Sequence, residues 1–132
     1  MSERDNVEIV KNAYAAFGRG DAGAVVNACA EDVVWIIPGA AHVPVAGTYT
    51  GRKGVDEFFR TMGEHQTPQQ FEPREFVAQG DKVVALGHYS WKMNRTGKTY
   101  EGDWAHVFTI RDGQVVRFQE FADTAAEAEA YR

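Results

Sequence analysis

Apolar residues recur early in the chain at the spacing of one helix face. Val7, Val10, Tyr14 and Phe17 fall at i, i+3, i+7 and i+10 with Ala13 beside them, which predicts a helix over residues 4–17. Gly18 and Gly20 end it, and Asp21 is placed to cap a short second helix carrying Val25, Val26 and Cys29, so a helical hairpin is expected. The run Val33, Val34, Trp35, Ile36, Ile37 is β-branched and stopped by Pro38 and Gly39, and reads as a buried strand. Residues 40–51 hold Pro44, Gly47 and other turn formers and read as a loop. A third helix is predicted over residues 55–65, with Val55, Phe58, Phe59 and Met62 on one side and Gly63 and Pro68 bounding it.

After Pro68 the period changes from 3.6 to 2, and four strands are predicted over residues 71–78, 82–93, 99–110 and 114–122. Short glycine-containing connections at Gly80, Gly97 and Gly113 suit hairpins, so the four should form an antiparallel meander. Helices followed by strands give an α+β fold, with the helices packed on one face of a strongly curved, mainly antiparallel sheet. Residues 124–131 (TAAEAEAY) have high helix propensity and predict a short terminal helix, which either covers a pocket or lies on the surface.

Composition narrows the function classes. A chain of 132 residues, 44% hydrophobic and 25% charged, suits one globular domain over residues 1–132. No apolar run approaches the roughly 18 residues of a membrane span, and residues 1–11 lack the features of a targeting signal, so no membrane partner and a cytoplasmic location are expected. The net charge of −5, with no basic stripe, gives no footprint for nucleic acid. The lone Cys29 cannot close an internal disulfide and reads as a small buried apolar residue. His42, His65, His88 and His106 show no metal-ligand spacing among themselves or with Cys29, and no phosphate loop or Gly-x-Ser-x-Gly elbow is present. Neither a metal nor a cofactor is expected, and a small apolar molecule is the expected partner.

The candidate chemistry comes from strand alternation. Trp104, His106, Phe108 and Ile110 should share one face, and on the last strand Val116, Phe118, Glu120 and Ala122 should share another, with Val115, Arg117, Gln119 and Phe121 opposite. If the hairpin at Asp112 and Gly113 closes tightly, His106 and Glu120 come within reach of each other. A carboxylate among apolar groups must be paired, hydrated or raised in pKa, which is how a proton-transfer group is made. The competing reading is a buried pair that only holds the sheet. Tyr14, on the apolar face of the first helix, either donates its hydroxyl to a ligand oxygen or is a satisfied core tyrosine. Trp35, Tyr49, Phe58, Phe59, Met62, Tyr89, Trp91, Trp104, Phe108 and Phe118 are more large groups than a tightly filled small core needs, and would suit a flat apolar ligand. Asp123 is placed to cap the terminal helix.

Residues 14–21 (YAAFGRGD), 32–38 (DVVWIIP), 47–59 (GTYTGRKGVDEFF) and 104–123 (WAHVFTIRDGQVVRFQEFAD) resemble, in that order and spacing, the SnoaL-like proteins of the nuclear transport factor 2-like superfamily. The resemblance implies a cone-shaped α+β fold around a deep pocket and a homodimer. It implies a function among the ketosteroid isomerases, polyketide cyclases and other cofactor-independent lyases and isomerases, or among noncatalytic binders of apolar metabolites. Ketosteroid isomerases carry a catalytic Asp before the proline of the first strand, where this chain has Ile37, which cannot take a proton. Their oxyanion-stabilising Tyr matches Tyr14, and their protonated Asp on the penultimate strand matches His106. Glu120 is similar in placement to the acid/base carboxylate of SnoaL-type cyclases. The resemblance thus implies proton transfer by Glu120 and His106, with Tyr14 or Trp104 positioning a carbonyl oxygen. A third possibility is an interaction domain that recruits a protein to its sheet.

Overall fold

The computed structural model describes residues 2–132. In chain order the elements are α1 (Glu3–Gly18), α2 (Ala22–Asn27), β1 (Cys29–Ile37), β2 (Gly47–Thr50), α3 (Gly51–His65), β3 (Gln66–Gln79), β4 (Lys82–Met93), β5 (Thr99–Arg111), β6 (Gln114–Phe121) and α4 (Thr124–Ala130). The six strands form one curved, open sheet in the order β2-β1-β6-β5-β4-β3. The last four strands make the expected meander, β1 joins β6 in parallel, and the remaining pairings are antiparallel. α1 lies over β3 and β4, α3 over β1 and β2, and α4 reaches β5.

Local chemistry explains most boundaries. The start of α1 is a capping box, in which the Ser2 hydroxyl accepts from the Asp5 amide at 3.1 Å and the Asp5 carboxylate accepts from the Ser2 amide at 3.2 Å. Asp21 caps α2 by accepting from the Ala24 amide at 3.1 Å. Where the structure departs from the sequence-based expectation, tertiary pairing overrides propensity. Cys29 is the first residue of β1 and not part of α2, because it pairs with Val115 while the Ala28 carbonyl accepts from the Val115 amide at 3.0 Å. Its thiol donates to the Val25 carbonyl, and burial raises its pKa to about 11, which keeps it inert. Residues 47–50, expected as loop, form β2 by pairing with β1, and the helix after them begins at Gly51. No residue of that four-residue edge strand carries a sequence signal strong enough to outweigh its turn formers.

Two further corrections concern the sheet. β3 begins at Gln66, ahead of Pro68, and its register shifts fall at Pro68/Gln70 and Pro73/Glu75. An edge strand tolerates proline because one side of its backbone has no ladder to complete. On β6, Val115 and Phe118 are both buried, while Val116, expected beside Phe118, is only half-buried. The register explains this: Ile110 pairs with Val115 and Thr109 with Arg117, leaving Val116 as the extra residue of a bulge that flips the alternation before it.

α4 is anchored by side chains from three directions. His42 donates through Nε2 to the Ala128 carbonyl at 2.9 Å, Thr96 donates to the Ala130 carbonyl at 2.7 Å, and Arg95 donates to the Tyr131 carbonyl. The Tyr131 hydroxyl donates to Gln66 Oε1 at 2.5 Å. The helix starts at Asp123, whose Oδ1 accepts from the Ala126 amide at 3.0 Å. Asp123→Ala is expected to cost about 1 kcal/mol, read as a lower urea midpoint at unchanged m-value. No loss would mean that these anchors alone place the helix.

Candidate active site

The concave face of the sheet and the helices over it enclose a cavity of about 70 Å3. A more polar cleft adjoins it along Tyr14, Phe17, Phe59, Met62, Gln66 and Phe71, opening between α1, α3 and β3. Eight of the ten aromatic and apolar residues expected to suit a ligand stand on the cavity wall: Trp35, Phe58, Phe59, Met62, Tyr89, Trp91, Phe108 and Phe118. Two do not. Tyr49 lies outside, packed edge-on against Phe58 with its hydroxyl donating to the Val45 carbonyl at 2.9 Å. Trp104 lies behind His106, the two rings stacked at 4.0 Å, with its buried indole N–H unpartnered. Trp104 therefore cannot position a ligand carbonyl as expected. Ile37 is buried on the wall, so a methyl-bearing surface stands where ketosteroid isomerases would have their base.

His106 and Glu120 face each other across the β5–β6 ladder. His106 Nε2 is 2.9 Å from Glu120 Oε1, and His106 Nδ1 is 2.6 Å from the Tyr14 hydroxyl. A carboxylate only accepts, so Nε2–H of His106 donates to Glu120, and Nδ1 is the ring nitrogen left to accept from Tyr14. The chain runs Tyr14 to His106 to Glu120, and it commits the Tyr14 proton to the imidazole. Of the two readings open for Tyr14, a ligand donor or a satisfied tyrosine, the free protein adopts the second. Burial and the Glu120 charge both raise the Tyr14 pKa, which keeps its hydroxyl protonated as a donor. His106 is only 5% exposed, held between the Trp104 ring and the Phe118 edge. The Tyr89 hydroxyl also approaches Glu120 Oε1, at 3.4 Å. Glu120 Oε2 makes no hydrogen bond among the described residues and belongs to a side chain on the cavity wall.

The cavity contains a second carboxyl that sequence reasoning missed. Glu127, on α4, lines it at 6% exposure and makes no side-chain hydrogen bond or ion pair among the described residues. Burial first, and the Glu120 charge second, push its pKa up to about 8. One signal could have exposed it: Glu127 stands four residues before Tyr131, the one large apolar group of the helix, whereas Glu129 faces solvent. Gln66, buried beside the cavity, was missed as well. Among the described residues no cluster of His, Cys, Asp and Glu could hold a metal, and no helix is long and apolar enough to cross a membrane.

Glu127 should make stability depend on pH. The folded chain holds its proton to about pH 8, against 4.5 for an ordinary glutamate, so the unfolded chain loses that proton first as pH rises. Stability is full below the unfolded value and falls by up to about 1.4 kcal/mol per pH unit until the folded group also titrates. Glu127→Gln removes this titration. It is expected to stabilise by about 2 kcal/mol at pH 7.5, allowing for water in the cavity, and to change little at pH 4.5. Urea denaturation at both pH values checks it, and an equal effect at both would place the carboxyl in water.

Comparison with known proteins agrees with this architecture. The SnoaL-like domain family matches residues 10–118. A solved NTF2-like protein from Burkholderia xenovorans is 39% identical with a TM-score of 0.91, over 100% of this chain and 99% of that one. TerC, crystallised together with polyporic acid, is 30% identical with a TM-score of 0.86, over 96% of this chain and 98% of its own. An uncharacterised protein of Mycobacterium tuberculosis is 28% identical over 130 residues, which is 96% of this chain and 95% of that protein. With its conical α+β architecture, its cavity and this match over most of its length, the chain belongs to the SnoaL-like domain family.

Proposed function

We propose that the protein is a cofactor-independent lyase, isomerase or cyclase that moves a proton next to the carbonyl group of an apolar cyclic or polyketide-like compound. The observation that carries this reading is the Tyr14–His106–Glu120 chain, which ends at a carboxylate with one unpartnered oxygen in an otherwise largely apolar cavity. In the first step the bond between hydrogen and the carbon beside the carbonyl breaks. The proton goes to Glu120 Oε2 and the electron pair moves into the enolate. Return of a proton at another carbon gives isomerisation, and attack of the enolate carbon on a second carbonyl gives ring closure. His106 fixes the Glu120 carboxylate and Tyr14 fixes the His106 ring, so the base is oriented before substrate arrives. The aromatic wall suits a flat ligand, and TerC, the relative crystallised with polyporic acid, supports a small organic acid or ketone as the ligand class.

A second reading, a noncatalytic binder of an apolar metabolite, is favoured by one observation: Ile37 stands where a ketosteroid isomerase has its base. Deuterium uptake from heavy water into cyclic ketones and β-dicarbonyl compounds, followed by NMR, separates the two. Uptake that Glu120→Gln removes supports proton transfer. Compounds that bind and raise Tm without exchanging would establish the binder.

A further inference from the structure

The proton-transfer reading leaves the carbonyl oxygen without a partner. The Tyr14 hydroxyl donates to His106 and the Tyr89 hydroxyl to Glu120. On the cavity wall Gln66 offers an amide N–H and Trp91 an indole N–H, and neither group can give its proton up. The Trp35 indole nitrogen is buried without a partner. Glu127 is different in kind. It comes from α4, not from the sheet that holds Glu120 and His106, and it is more than nine-tenths buried with both carboxyl oxygens unbonded among the described residues. A carboxyl that lines the cavity with no partner from the protein is open to a hydrogen bond with whatever enters, water in the free protein or a ligand in the complex.

We propose that Glu127, as a neutral carboxylic acid, is the group that hydrogen-bonds and protonates the ligand's carbonyl oxygen, opposite in role to the Glu120 carboxylate in the same cavity. The substrate class follows: a flat, largely apolar ring compound bearing a ketone oxygen for Glu127 and an acidic C–H or enol O–H for Glu120. When the C–H bond breaks and its proton passes to Glu120 Oε2, the electron pair reaches the oxygen, and the Glu127 proton moves onto it to give the neutral enol. Glu127 ends as a carboxylate and Glu120 as an acid, with no net charge left on the ligand. The α4 anchors then have a second use, since His42, Thr96, Arg95 and Gln66 fix the height of Glu127 above the cavity.

Ionisation of Glu127 would abolish the donor, so ketone binding should weaken as pH rises through the raised pKa of about 8. The titratable groups around it are Glu120 from β6, Tyr89 from β4, Tyr100 from β5, Asp123 and Tyr131 at the two ends of α4, and His42 from the segment after β1. The three tyrosines have their pKa values raised by burial, Tyr100 to about 12, so they stay neutral through this range.

This deepens the proposed function and rests on its cavity, but its test is a binding measurement. Affinities of α-tetralone and of tetralin, which lacks the oxygen, are measured at pH 6.5 and pH 9.5 on the whole chain. The wild-type protein should prefer the ketone about tenfold at pH 6.5, as one buried hydrogen bond supplies, and lose the preference at pH 9.5. Glu127→Gln, which keeps an N–H donor, should keep the preference at both pH values, and Glu127→Leu should lose it at both; thermal melts confirm that each variant folds. A preference that survives Glu127→Leu, a wild-type preference flat with pH, or no binding of α-tetralone would overturn the assignment. The two proposals fail separately. Deuterium uptake that needs Glu120 alongside a Glu127-independent preference would overturn only this one, and a Glu127-dependent preference without uptake would overturn only the catalytic reading.

Discussion

Glu120→Gln is expected to lower the rate of deuterium exchange into a bound cyclic ketone by two to four orders of magnitude, the usual contribution of a positioned general base, while leaving the fold intact. An amide oxygen accepts a hydrogen bond as a carboxylate does, so the His106 Nε2–H bond at 2.9 Å can persist and the Tyr14 contact with it. What disappears is the negative charge and the basic oxygen facing the cavity. The same change has a second readout. The Glu120 charge is one of the two causes that raise Glu127, so Glu127 in this variant should titrate lower than about 8. A fall in rate with that companion shift identifies the loss as loss of the carboxylate. Exchange unchanged by the substitution, with the ketone still bound, would remove Glu120 from the chemistry.

Gly87→Ala should destabilise the protein by about 3 kcal/mol, at the upper end of the range for overpacking a filled core. Gly87 is a buried residue of β4, paired with Pro73 on β3 and Trp104 on β5. A methyl group there would meet Trp104 Cζ2 at 2.3 Å and the Glu72 carbonyl oxygen at 2.4 Å. The tryptophan ring lies directly over the glycine, and the carbonyl belongs to backbone that cannot rotate away. Glycine is thus required at this position by space, not by its dihedral angles. The consequence extends to the site, because the displaced Trp104 ring is the one stacked on His106 at 4.0 Å. Denaturant titration should show the lower midpoint, and any folded variant should exchange more slowly. A loss below about 1 kcal/mol would mean that Trp104 does not cover Gly87.

The parts of the fold that were legible in the sequence share one property: their signal is local or repeats with a fixed period. The apolar face of α1, the caps at Asp21 and Asp123 and the glycine-containing hairpin turns could each be read from a few neighbouring residues. The misread parts depend on a distant partner. β2 exists because β1 has an edge to pair with, the helical pattern reaching Cys29 gave way to a ladder with Val115, and the alternation of β6 breaks at a bulge set by its pairing with β5.

The site divides along the same line. Alternation along β5 and a tight hairpin to β6 were enough to place His106 opposite Glu120, because cross-strand neighbours follow from period and turn length. Three things could not be read this way. The Tyr14 hydroxyl hydrogen-bonds to His106, Trp104 and Tyr49 stand outside the cavity, and Glu127 lies inside it. Each depends on how a helix docks on the sheet, and docking is fixed by side-chain packing summed over the whole interface, which has no sequence period. The sequence by itself therefore determined the α+β architecture and the facing pair on β5 and β6, whose physics is short-range. Only the tertiary structure decided which carboxyl is an unpartnered acid, because desolvation and the charge of a neighbour act through space on groups that the chain order keeps apart.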